Sequence, residues 1–99
     1  MLDPKVKYSI LRAASLDDDL TPSSRRSLCT ILDCADNTGT ASISYTLIAQ
    51  AGRVRRKTSV RDVDRLEQGG YLTRITTKEV LRRFRPNTYA LNLSLATGE

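Results

Sequence analysis

Histidine is absent from this chain of 99 residues, and so is tryptophan. Without histidine the sequence lacks the commonest general base, the Ser-His and Cys-His nucleophile pairs and most transition-metal sites. Carboxylates and lysines remain, but none is arranged like an active site. No catalytic residue, metal or cofactor is therefore expected, and the chain is not read as an enzyme. Glycine is sparse: Gly69-Gly70 is an isolated pair, and Gly39, Gly52 and Gly98 stand alone, so there is no phosphate-cradling loop. Cys29 and Cys34 lie five apart in a segment read below as a helix, about 140° apart around its axis. They suit neither a mutual disulfide nor a shared metal, and small buried apolar residues are the simpler reading. A single phenylalanine and 39% hydrophobic residues imply a small, mostly aliphatic core. No apolar run approaches the ~20 residues that cross a bilayer. Met1 to Leu20, acidic at Asp17-Asp18-Asp19, lacks the apolar stretch of a signal peptide. These absences point to one cytoplasmic domain with no membrane partner and no evident small-molecule ligand.

What the chain does have is localised positive charge. Residues 53–85 hold eleven of the sixteen Lys and Arg but only four of the eleven Asp and Glu, while the rest of the chain is slightly acidic. An excess gathered on neighbouring elements is the footprint of a surface that faces a polyanion.

Local patterns divide the chain. Val6, Tyr8 and Ile10 alternate with period two, which favours an extended N-terminal arm over residues 1–19. Asp3-Pro4 could equally open a helix, with Asp3 as cap and Pro4 at the first helical position. Thr21-Pro22 is a stronger start signal, and Leu28, Ile31, Leu32 and Ala35 then share one helical face, giving a helix at 22–36 that stops at Asp36-Asn37-Thr38-Gly39. Thr40 to Ile43 is a short link or a single strand rung. Ser42 or Ser44 caps a second helix that ends near Gly52. A third runs from about Arg55 to Gln68, with Val60, Val63 and Leu66 as its apolar stripe. Beyond Gly69-Gly70 the period becomes that of strands, at 71–77 and 88–93, with Tyr71 and Tyr89 among the inward positions. Between them lies a basic tip with Lys78, Arg82, Arg83, Arg85 and the turn-forming Pro86-Asn87, in which Phe84 is a candidate wedge or stacking residue. Residues 96–99 read as a tail.

Three stretches, Ser44-Tyr45-Thr46-Leu47-Ile48-Ala49, Val54-Arg55-Arg56-Lys57-Thr58 and Leu66-Glu67-Gln68-Gly69-Gly70-Tyr71-Leu72, resemble the supporting helix, the recognition-helix start and the exit into the wing of winged helix-turn-helix domains. Their spacing agrees: five residues from Ala49 to Val54, four to Thr58, eight to Leu66 and four to Gly70. Arg83-Phe84-Arg85-Pro86-Asn87-Thr88-Tyr89-Ala90-Leu91 is similar to the wing of such domains in plasmid and phage replication initiators. The resemblance covers about residues 20–93 and implies a mostly α, α/β winged helix-turn-helix fold: three helices and a C-terminal two-stranded hairpin, in a domain of residues 20–95. The family usually has glycine where Arg53 stands, a Ser or Thr cap where Arg55 stands and an aliphatic residue at Ser59. These departures imply an irregular turn and a recognition helix rotated or shifted at its start.

The function that follows is sequence-specific binding of double-stranded DNA by a bacterial, plasmid or phage regulator, an expected transcriptional repressor. Two alternatives stand beside it: the DNA-binding module of a replication or partition system, and a winged helix used for protein–protein contact. Arg55, Arg56, Lys57, Thr58, Arg61 and Arg65 are the expected recognition-helix contacts, with arginine able to grip guanine in bidentate fashion. Lys78, Arg82, Arg83, Arg85 and Asn87 are the expected wing contacts, and Ser44 and Tyr45 the expected phosphate contacts at the second helix. A bland reading of the basic helix is a solvated face in which Arg61 pairs with Asp64 and Arg65 with Asp62. Against it, Arg53, Arg55, Arg56 and Lys57 repel one another and oppose the helix dipole. Homodimerisation, through the arm or the first helix, is the hypothesis that the small core and repeated DNA sites motivate.

Overall fold

A computed structural model describes residues 1–75 and 87–96. The expectations for Lys78, Arg82, Arg83, Phe84 and Arg85 lie outside the described residues. Four α-helices and a three-stranded antiparallel sheet make up the described part: α1 (Pro4–Ser15), α2 (Pro22–Asp33), β1 (Thr40–Ile43), α3 (Tyr45–Gly52), α4 (Arg56–Gln68), β2 (Leu72–Ile75) and β3 (Asn87–Leu91), followed by a 3-10 turn at Leu93–Leu95.

The N-terminal segment is a helix, which corrects the extended arm and raises the helix count from three to four. Asp3 caps it by accepting from the Lys5 amide at 2.8 Å, and Pro4 supplies the preset first position. Val6 and Ile10 are four apart, a spacing that fits either period. Tyr8 decides between them: at 66% exposure it lies outside the core, whereas Ile10 and Ala14 are buried on one helical stripe. Leu2, Ile10 and Ala14 join the same core as Leu28, Ile31, Leu32, Val63, Leu66 and Tyr89, so residues 1–19 pack with the remainder of the described chain.

Helix α2 starts as the cap requires but ends at Asp33, short of the expected 36, and Ala35 forms a bridge with Ala41 instead. Thr21 accepts from the Ser24 amide at 3.1 Å, and Leu28, Ile31 and Leu32 are fully buried. Each such aliphatic side chain contributes roughly 1.5–3 kcal/mol of transfer free energy. It packs against α1, α3 and α4. Arg25 fastens the preceding α1–α2 connection: Nε donates to the Ala14 carbonyl at 3.0 Å and Nη2 to that of Asp17 at 2.8 Å.

The link at Thr40–Ile43 is a full strand. It pairs with β3 in the register Thr40 to Ala90 through Ile43 to Asn87, and β3 pairs on its other side with β2, giving the order β1-β3-β2. A two-stranded hairpin is thus only part of the sheet. Tyr71 and Tyr89 are core residues, as their alternation implied. Asn87 opens β3 opposite Ile43 rather than sitting in a turn. No described helix is long and apolar enough to cross a membrane.

Candidate nucleic-acid interface

The candidate interface is built on the junction of α3 and α4. Ser44 caps α3, its hydroxyl accepting from the Leu47 amide at 3.1 Å. At the other end the amide of Arg53 donates to the Gln50 carbonyl at 3.3 Å and that of Val54 to Ala49 at 3.0 Å. This is the Schellman closure of a helix, with Arg53 in the left-handed position at φ 55°, ψ 42°. The turn is therefore regular, contrary to the irregularity that Arg53 implied.

Helix α4 begins one residue after Arg55. The Arg55 carbonyl accepts from the amides of Thr58 (2.9 Å) and Ser59 (3.1 Å), and its side chain makes no capping bond. The inward face is Ser59, Asp62, Val63 and Leu66, with Val60 only half-buried. The expected stripe at Val60, Val63 and Leu66 is therefore rotated, and polar residues take two of the buried places. Ser59 Oγ donates to the carbonyls of Arg56 (2.7 Å) and Tyr45 (3.0 Å), tying the start of α4 to the start of α3. Asp62, 4% exposed, accepts from the hydroxyls of Ser23 (3.0 Å) and Ser27 (3.2 Å) on α2.

These bonds overturn the two intrahelical pairings of the bland reading. Asp62 faces serines rather than Arg65. Asp64 pairs with Arg74 of β2, which also reaches Glu67 (Nε to Oε1, 3.6 Å), and the Arg74 amide donates to Glu67 Oε2 at 3.0 Å. The described carboxylates of α4 are thus engaged by α2 and β2. Arg53, Arg55, Arg56, Lys57 and Arg61 are all exposed, and none forms an ion pair with a described carboxylate. Lys57 and Arg61 are about 40° apart around the axis, so they form one outward ridge. The Arg56 guanidinium lies 5.5 Å from the centre of the Tyr45 ring, a cation–π seat. Thr58 is half-buried beside this ridge, and Tyr45 is half-buried beneath Arg56.

Arg65 is different from the other cations of α4. Its Nη1 donates to the Asp19 carbonyl at 3.0 Å, about 13 Å along the helix from Arg56. Tyr71 reaches the same connection, its hydroxyl donating to Asp17 at 2.8 Å. The Asp17-Asp18-Asp19 loop therefore sits at the C-terminal end of α4, where its charge opposes phosphate. Of the residues expected to touch DNA, the structure gathers Ser44, Tyr45, Arg55, Arg56, Lys57, Thr58 and Arg61; Asn87, opposite Ile43, lies next to Ser44, while Arg65 stands apart on the Asp19 carbonyl. Two residues the site reading omitted belong beside it. Arg74 lies on a strand and could be suspected only from two carboxylates three apart on one helix face; Arg53 was signalled by its place at a turn that favours glycine.

No protein-family model, curated protein or solved structure matches the chain.

Proposed function

We propose that this protein is a winged helix-turn-helix domain that binds duplex DNA, with α3 as supporting helix, α4 as recognition helix and the β2–β3 pair as the base of the wing. One observation carries the reading: five exposed cations at the α3–α4 turn and the first half of α4 have no partner among the described carboxylates, although α4 has carboxylates of its own that are held elsewhere. Like charges crowded at a helix start oppose the dipole and repel one another, and a polyanion removes both costs.

B-DNA's major groove, about 12 Å wide, admits one helix whose N-terminal turns approach base edges. Arg55, Arg56 and Lys57 lie in those turns, and Arg61 follows one turn later. The amides at the start of α4, which no side chain caps, offer further donors to phosphate. Lys78, Arg82, Arg83 and Arg85, between β2 and β3 in sequence, add cations for backbone or minor-groove contact. Such a module serves as a transcriptional regulator of bacterial, plasmid or phage origin, or at a replication origin or partition site. Dimerisation through α1 and its C-cap, where Tyr8 and Leu16 are exposed at 66% and 74%, is part of the proposal. Sedimentation that finds only monomer, free and on DNA, removes that part.

The decisive experiment is selection from a random duplex library, followed by fluorescence anisotropy across a salt series. The reading expects nanomolar-to-micromolar affinity at low salt and a selected motif. Absence of duplex binding, with retention by an acidic protein ligand, would favour the protein–protein alternative.

A further inference from the structure

Among the described residues, Arg53 is the only one other than glycine with a positive φ. In that region the Cβ of an L-residue crowds the following carbonyl, and glycine fills the position without that cost. A glycine is adjacent, but one place early. A Cβ built on Gly52 would meet nothing nearer than Val54 Cγ2 at 3.9 Å, an ordinary contact. Position 52, though buried, has room for a β-carbon and position 53 prefers none, yet glycine stands at 52 and a side chain at 53.

Nothing within the described protein accounts for the arginine. Its side chain is exposed, no described carboxylate pairs with it, and Arg55, Arg56 and Lys57 follow immediately. The closure of α3 is made by backbone bonds alone, which glycine would make equally well. A backbone outlier held against its local preference points to a role outside the fold.

We propose that Arg53 is a phosphate-binding residue of the α3–α4 turn, gripping a diester of the DNA backbone at the rim of the groove that α4 enters. This rests on the DNA-binding reading. The turn is where the chain leaves one helix and starts the next, so a cation there flanks the groove-facing helix instead of entering with it. Arg53 therefore supplies affinity and register, whereas sequence preference comes from the residues of α4 that reach base edges.

The test compares Arg53→Gly and Arg53→Lys with the parent protein. Counterion release gives each phosphate contact about 0.9 of log–log salt slope, or about eightfold in affinity at 0.1 M salt. Arg53→Gly should lose both of these while preserving the selected DNA motif. Its Tm should rise by roughly 4 °C, after the greater unfolded-state freedom of glycine is set against the relieved backbone. Arg53→Lys should keep the slope within about 0.3 of the parent. A more stable variant that binds less tightly cannot be explained by misfolding. If Arg53→Gly binds like the parent with the same slope, the inference is overturned and the DNA-binding reading stands. If Arg53→Lys loses as much slope as Arg53→Gly, the phosphate role is likewise overturned. If the parent does not bind duplex at low salt, both fall.

Discussion

Replacing Lys57 and Arg61 together by alanine separates a DNA-facing ridge from a merely solvated one. Both side chains are exposed, share one outward ridge of α4 and lack a described carboxylate partner. If each neutralises one phosphate, the double variant should lower the magnitude of the log K against log[salt] slope by about 1.8, and weaken binding about 60-fold at 0.1 M salt. Arg65→Ala is the internal control. It removes a cation from the same helix, but one whose guanidinium is committed to the Asp19 carbonyl. Its slope should stay within about 0.3 of the parent. Anisotropy titrations at four salt concentrations on one selected duplex give all three slopes, and circular dichroism verifies that α4 persists. Exposed helix positions tolerate alanine well, so the fold should survive. Equal slope changes from Arg65→Ala and from the double variant would refute the placement of the ridge. An unchanged slope in the double variant would refute it more directly.

Two further outcomes follow from bonds around the site. Arg74→Ala releases the Asp64 and Glu67 carboxylates beside the cationic ridge. It should cost about 0.5–1 kcal/mol in urea unfolding, as partly exposed pairs do, and weaken DNA binding by leaving two negative charges unscreened. Tyr71→Phe tests the pH dependence of the loop that closes the far end of α4. The Tyr71 hydroxyl, then the Asp19 amide, hold the Asp17 carboxyl below its usual 3.8, and the Thr38 hydroxyl does the same for Asp36. A lowered folded-state value means stability that is present above pH 3.8 and lost as pH falls through the folded value. Burial and then the Asp17 bond push Tyr71 up to about 12 from 10, so its share is present below pH 10 and lost as pH rises through 12. Unfolding midpoints across pH should show both declines in the parent. Tyr71→Phe should abolish its share of the alkaline decline and shrink the acidic one, leaving the Asp36 portion and the part of Asp17's that the Asp19 amide supplies.

The elements that were legible in the sequence are those whose start signals and apolar periods agree. Thr21-Pro22 and the Leu28-Ile31-Leu32 face define α2, Ser44 defines α3, and the change of period after Gly70 marks β2 and β3. Helix α1 was ambiguous because Val6 and Ile10 satisfy both periods, and only the exposure of Tyr8 separates them. The inner face of α4 was obscured for a different reason. Ser59 and Asp62 are polar, and hydropathy does not register a hydroxyl whose bonds go to two carbonyls or a carboxylate enclosed by two serines. The same partners were invisible in the pairing of charges. Spacing along a helix suggested Arg61 with Asp64, whereas a strand residue in β2 reaches Asp64 from another direction.

That rearrangement bears directly on the candidate site. A helix start with no side-chain cap, a cationic first turn and a left-handed arginine before it carries local costs on the order of 1 kcal/mol each. Full burial of Val63 and Leu66 on the same helix contributes roughly 1.5–3 kcal/mol apiece, and both lie in its second half, away from those costs. Helix α4 is therefore anchored by one end and one face, with Ser59 as the only buried residue of its first turn. The other end can keep charges that do not favour folding. Substitutions that make this start a better helix, such as Arg55→Ser for capping, should raise stability while lowering affinity for a polyanion. Raising both together would contradict the assignment of those cations to an external partner.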